Sequence, residues 1–288
     1  MNPSLSIALV ASFIAVSCAL LGAFLVLRKM TMVGDAISHA VLPGIAIAYW
    51  LSQSRASLGM FLGAAIVGVG ATIIIELMRK KLRVQSDASI GMTFTTLFAL
   101  GVVLITFWSD SVDLDQECVL YGEIAFVPFN LWIIHGSSYG PIALWSSGIL
   151  FLVVLAYIII GYKGLKITSF NEDYAMVLGV SAGLWNLSLM SMVSLATVVS
   201  FESVGAILVV SLLVAPAASA YLLVRKLKPL LILSVVFGLL AAFGGYGLSR
   251  LLQTSIAGSI TTVLGILFLF SLGIQTITNK KSVHALEI

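Results

Sequence analysis

"ALVASFIAVSCALLGAFLVL", residues 8–27, carries no charge over its whole length, and Arg28 and Lys29 close it. A helix rises 1.5 Å per residue, so a run of this length matches the roughly 30 Å hydrocarbon core of a bilayer. Comparable apolar runs follow at about 31–51, 57–78, 89–108, 141–161, 183–200, 204–224, 230–249 and 256–277. The chain has 288 residues, 60% hydrophobic and only 9% charged, and its mean hydropathy is +1.14. Soluble domains carry about 25% charged residues. One polytopic helical membrane domain over 1–288 is therefore predicted, all-α, with eight to nine transmembrane helices and a flexible tail at 279–288.

No Lys or Arg precedes Arg28, so the first run is predicted to be a retained span and not a cleaved signal peptide. The stretch 110–135 breaks the pattern. It opens acidic, with Asp110, Asp113, Asp115 and Glu117, and continues as "CVLYGEIAFVPFNLW". A short re-entrant or interfacial helix is expected there.

Basic residues give the orientation. Arg28 and Lys29, then Arg79, Lys80, Lys81 and Arg83, then Lys163 and Lys166 follow spans 1, 3 and 5. Arg225, Lys226 and Lys228 follow span 7, and Lys280 and Lys281 follow span 9. Cytoplasmic loops are enriched in Lys and Arg. A nine-span layout with the C-terminus inside puts 13 of the 15 basic residues on the cytoplasmic side, leaving Arg55 and Arg250 outside. Merging spans 6 and 7 would give eight spans and spoil that pattern.

Several functions are excluded or disfavoured. A net charge of +3 without a basic tract gives no reason to expect nucleic acid. No G-x-x-x-x-G-K-[ST] motif is present, so ATP hydrolysis would need a separate chain. The absence of H-E-x-x-H argues against an intramembrane metalloprotease. Cys18 and Cys118 have no metal or redox spacing. His135 and His284 have no neighbouring ligand in the sequence.

The second run holds "MVGDAISHAVLPG", residues 32–44. Asp35 and His39 are four apart, hence on one helix face. Pro43 follows on the same stripe and offers no N–H to the His39 carbonyl, so a kink is expected there. Carboxylate, imidazole and backbone oxygen suit a divalent transition metal. Ala36, Ala40, Gly44 and Ala48 form an adjoining stripe of small residues, which permits close helix approach. A second copy across a two-fold axis could supply two more ligands. The competing structural reading makes Asp35 a helix cap and His39 a hydrogen-bonded core histidine. Two ionisable residues at helical spacing within a membrane favour metal or proton handling.

In "SFNEDYAMVLGVSAG", residues 169–183, Ser169 and Glu172 have capping-box spacing. Asp173 suits the helix dipole, Tyr174, Val177 and Leu178 share an apolar face, and Gly179 is a stop. Such a helix could dock into a partner or lie on headgroups. Glu202, at the outer end of span 7, and Pro216, interrupting that span, are candidate gate or pathway residues beside Pro43. Their alternative role is packing and a solvated rim. Glu76 is expected to pair with Lys80 and Asp87 to cap span 4. The acids at 110–117 could attract cations or a partner.

"GDAISHAVLPG" (34–44), "DASIGMTFTTLFALGVVL" (87–104), "EDYAMVLGVSAG" (172–183) and "SVGAILVVSLLVAPAASAYLL" (203–223) resemble the membrane permeases of the manganese/zinc/iron branch of ATP-binding-cassette importers. The resemblance implies a two-permease core, as a homodimer or with a paralogue, with two cytosolic ATP-binding subunits and an extracytoplasmic metal-binding protein. It implies that Asp35 and His39 are metal ligands, and that 169–183 is the segment coupled to the ATPase. No permanently bound cofactor is implied; the divalent metal ion is cargo. "CVLYGEIAFVP" and "FESVGAILVV" look more like manganese-type than zinc-type members. The resemblance thus implies an alternating-access importer of manganese, or of zinc or iron, in a bacterial inner membrane. A proton-coupled secondary metal transporter, using the same Asp–His pair as a relay, is the alternative.

Overall fold

A computed structural model describes residues 2–52, 57–108, 124–134 and 137–284. Its helices are α1 (Pro3–Leu27), α2 (Val33–Ala40), α3 (Leu42–Ser52), α4 (Ser57–Lys81), α5 (Ser86–Trp108), α6 (Ile142–Phe170), α7 (Glu172–Val177), α8 (Ala182–Val204), α9 (Ala206–Leu223), α10 (Leu227–Leu252) and α11 (Ile256–His284). Eight of them are long and apolar enough to cross a bilayer. In hydrocarbon every backbone N–H and C=O must be paired within the protein, and a helix does this locally. The remaining predicted span, 31–51, is the pair α2 and α3.

That pair departs from the expected single kinked helix. The break falls at Val41, two residues before Pro43. The Val41 N–H donates to the Ile37 carbonyl at 3.2 Å. Gly44 and Ile45 N–H groups then both turn to the Val41 carbonyl, at 3.0 and 3.2 Å. Proline removes the donor that would continue the ladder and disfavours helical backbone in the residue before it.

The boundary between spans 6 and 7 is present. Gly205, at φ 80°, separates α8 from α9. Glu202 therefore belongs to the last turn of α8 and does not open the next span, as the sequence reading had placed it. Pro216 lies buried inside α9, which continues through it to Leu223 instead of being interrupted. Ion-pair geometry supports Glu76, whose carboxylate lies 3.1 Å from both Arg79 and Lys80. Asp87 falls within the first turn of α5, not before it.

Two further differences concern loops. The described part of the 110–135 stretch is a 3-10 turn at Ile124–Phe129, followed by β1 (Leu131–Ile134). β1 pairs antiparallel with β2 (Ser137–Pro141), Leu131 opposite Pro141 and Ile134 opposite Ser137. A short re-entrant or interfacial helix was expected here; the helical part is a single 3-10 turn, and Pro128 and the β-branched pair at 133–134 favour tight turn and strand. Asp110, Asp113, Asp115, Glu117, Cys118, His135 and Arg55 lie outside the described residues. The other difference is α6, which runs to Phe170 instead of stopping near 161. Helix α11 likewise extends to His284, into the expected tail.

The chain forms two compact units: Met1–Val26, Ile124–Leu152 and Ile207–Ile288, and Leu27–Glu123 with Val153–Ala206. In the first, α1 is apolar all round and buried along most of its length, as such a helix must be. A Cβ on its Gly22 would strike the Leu213 carbonyl of α9. Phe13 stacks on Phe151 at 5.5 Å. In the second unit, α2 and α3 pack on α4 and α5, and α8 packs on α2 and α4. Gly44 of α3 and Gly63 of α4 approach so closely that a Cβ on either would meet the other's carbonyl. The α3 half of the small-residue stripe, Gly44 and Ala48, is thus covered by α4 of the same chain.

Candidate metal centre

Helix α2 starts at Val33 after Met32, which makes no side-chain cap. Asp35 is in the first turn, where a carboxylate favours the positive end of the helix dipole. It is therefore no N-cap. His39 follows one turn later, and its Nε2 lies 3.9 Å from Asp35 Oδ1. This exceeds a hydrogen bond. An ion about 2.1 Å from each donor allows them to be at most about 4.2 Å apart, so one ion can touch both. The side chains are 34% (His39) and 54% (Asp35) exposed, open on one side.

The other ring nitrogen of His39 faces inward. Nδ1 is buried and has no hydrogen-bond partner, so His39 is not the satisfied core histidine of the competing reading. Its ring centroid lies 5.5 Å from Phe94 and 5.7 Å from Phe98, the latter at 86°. These two rings, one turn apart on α5, pack against the imidazole. Sequence reasoning missed them, although two aromatics at i, i+4 opposite the Asp–His stripe were a usable signal. Pro43 is buried, and a Cβ on Gly101 of α5 would lie 2.9 Å from its nitrogen. Among the described residues no group of three or more His, Cys, Asp or Glu could hold a metal. The pair offers two ligands.

The segment 169–183 folds as a short helix, but with a different cap. Ser169 lies inside α6, and the N-cap of α7 is Asn171, whose side chain accepts from the Tyr174 N–H at 2.9 Å. The expected Ser169–Glu172 capping box is therefore absent, because α6 runs two turns further than the apolar pattern suggested. The stop is as read. Gly179, at φ 73°, donates to the Met176 carbonyl, and Val180 N–H reaches the Ala175 carbonyl at 2.9 Å. This is a Schellman closure. Ala175 is buried, while Tyr174, Met176, Val177 and Leu178 are exposed, Val177 by 84%. Asp173 is exposed in the first turn.

Beneath α7 lies a polar network that the sequence reading did not find. Arg28 Nε donates to Ser169 Oγ at 2.9 Å, Nη2 to Thr168 Oγ1 at 2.8 Å, and Nη1 to Asn186 Oδ1. Asn186 Nδ2 in turn donates to Glu172 Oε1 at 3.3 Å. Burial pushes the Arg28 guanidinium below its usual range, to about 10, against Tyr157, Glu172 and Glu76, which raise it. An asparagine inside "GLWNLSL" (183–189) was the available hint. Trp185 packs against Gly161 and Gly164 of α6, which holds the extended end of that helix.

Residues 2–275 match the model of the ABC 3 transport family. The manganese transport system membrane protein MntD of Bacillus subtilis is 44% identical over 271 residues, covering 93% of this chain and 92% of that one. The zinc transport system membrane protein TroD of Treponema pallidum is 38% identical over 265 residues, covering 92% and 72%. Among solved structures, PsaBC from Streptococcus pneumoniae in complex with Fab superposes with a TM-score of 0.73 at 31% identity, covering 94% of this chain and 91% of that one.

Proposed function

This chain belongs to the ABC 3 transport family, and from that premise we propose that it is the membrane permease subunit of an ATP-driven importer of divalent transition metals, manganese first among them. It is a multi-pass protein of the cell membrane, and its role is transport, not catalysis. The observation that carries the reading is the convergence of Asp35 Oδ1 and His39 Nε2 at 3.9 Å on a partly open face of α2. Carboxylate with imidazole suits manganese, zinc and iron alike. Manganese is preferred because the manganese-transport relative is 44% identical and the zinc-transport relative 38%.

In this reading a second permease, a copy or a paralogue, supplies the other ligand pair. The ion is delivered by an extracytoplasmic binding protein to Asp35 and His39. Two ATP-binding subunits meet the exposed apolar face of α7 on the cytoplasmic side, with the C-terminus on that side too. Their motion switches access, with Pro43, Glu202 and Pro216 each a candidate gate or pathway residue. The test is uptake of manganese, zinc and iron by vesicles holding the assembled complex, with and without ATP. ATP-dependent manganese uptake that survives an uncoupler is expected. Uptake that needs no ATP and collapses with the uncoupler would overturn the reading in favour of proton coupling.

A further inference from the structure

The network under α7 is joined by four residues, 29–32, to the helix that carries the metal pair. After Arg28 the chain turns at Lys29, with φ 55°, and α2 begins at Val33. This connection is held at two points. At one, the Arg28 guanidinium reaches Thr168, Ser169 and Asn186. At the other, Met30 is 3% exposed, and its sulfur accepts from Arg79 Nη1 of α4 at 3.4 Å. Arg79 is itself fixed by Glu76 at 3.1 Å.

The three groups that Arg28 holds flank α7. Thr168 and Ser169 are in the last turn of α6, just before Asn171 caps α7. Asn186 is near the start of α8, just after it, and carries the link to Glu172 on α7 itself. A shift of α7 therefore displaces the anchors of a single side chain from both ends. All three anchors are neutral oxygens on short side chains. A planar guanidinium with donors on three nitrogens can follow them together, which a lysine ammonium cannot.

We propose that Arg28 is a positioning residue that passes displacement of α7 through the 28–32 connection to α2, and so to Asp35 and His39. The inference rests on the reading of 169–183 as the ATPase contact. It adds a specific mechanical link on the permease side, distinct from the contact itself.

The test uses the assembled importer in liposomes, with manganese as the ion, and reads ions imported per ATP hydrolysed. Arg28→Lys and Arg28→Gln remove two or three of the anchors, and Ser169→Ala and Thr168→Val remove one each. With the ATPase still bound and ATP still hydrolysed, the ratio is expected to fall by roughly 3- to 30-fold for the arginine variants, the range of single-residue coupling effects, and less for the single-anchor variants. If Arg28→Gln prevents assembly, the single-anchor variants carry the test. An unchanged ratio in an assembled variant overturns the proposal. So does a parallel loss of hydrolysis and uptake that tracks only the amount of assembled complex. Val177→Asp separates this from the underlying reading. If it leaves the ATPase bound, the docking reading falls, and this inference with it. If it strips the ATPase while Arg28→Gln keeps the ratio, only the inference falls.

Discussion

His39 presents Nε2 to Asp35 Oδ1 at 3.9 Å, while its Nδ1 is buried without a partner. One nitrogen is committed to the inside of the protein and the other to the open face, so ring orientation and ligand choice are the same fact. Asp35→Ala and His39→Ala should each lower metal affinity by at least roughly tenfold, since even outer-shell losses reach that size. Titration calorimetry on the assembled permease reads this directly. Both ligands bind metal only when deprotonated, so affinity should also weaken as the solution is acidified. Unchanged affinity in both variants would remove the pair from the site.

Phe98 meets the His39 ring edge-on at 5.7 Å, and Phe94 lies 5.5 Å away. Aromatic pairs of this kind contribute roughly 0.5–1.5 kcal/mol, equivalent to about two- to tenfold in affinity if the ring is freed. Phe98→Ala should therefore raise the metal concentration for half-maximal uptake by that factor, without loss of assembly. Phe98→Leu should fall between the two. An unchanged half-maximal concentration would show that the ring holds its place without them.

The spans were legible because bilayer thickness imposes a length and apolar side chains declare it. The Asp–His pair was legible because helical spacing alone brings i and i+4 together. What sequence could not give was tertiary. Lys163 and Lys166 looked like the end of a span, yet α6 continues to Phe170, where Trp185 on Gly161 and Gly164 and Arg28 on Thr168 and Ser169 hold it. That extension moves Ser169 into the helix and hands the cap to Asn171. Arg28 read only as a topology signal, because its partners are 140 to 158 residues away in sequence. The hairpin at 131–141 is too short for its alternation to stand out beside transmembrane runs.

Gly63 allows a close crossing of α3 over α4. A methyl group there would meet the Gly44 carbonyl and come within 2.7 Å of the Ala48 Cβ. Both are held by helix backbone, so the clash has no flexible side chain to absorb it. Gly63→Ala should destabilise the permease by about 1–3 kcal/mol, the usual size of overpacking. Gly70 is on the same helix with nothing within 4 Å of a built Cβ. Gly70→Ala should be neutral or slightly stabilising, because alanine is the better helix former. Thermal unfolding in detergent compares the two. Equal midpoints would contradict the close crossing.

The sequence reading put the cap at Ser169, whereas the structure assigns the role to Asn171, which accepts from Tyr174 N–H at 2.9 Å. Asn171→Ala should destabilise α7 by about 1 kcal/mol, whereas Ser169→Ala should leave the cap intact. At the other end Gly179 sits at φ 73°, where a Cβ costs roughly 1–2 kcal/mol, so Gly179→Ala should loosen the same helix. Hydrogen exchange at the amides of 174–180 reads all three locally. Faster exchange is expected for Asn171→Ala and Gly179→Ala, and wild-type exchange for Ser169→Ala. A six-residue helix has no length to spare, so these two ends decide whether its apolar face is presented in one orientation. Loss of either should weaken ATPase binding in step with the exchange rate. Faster exchange in Ser169→Ala alone would restore the capping box and refute the Asn171 assignment.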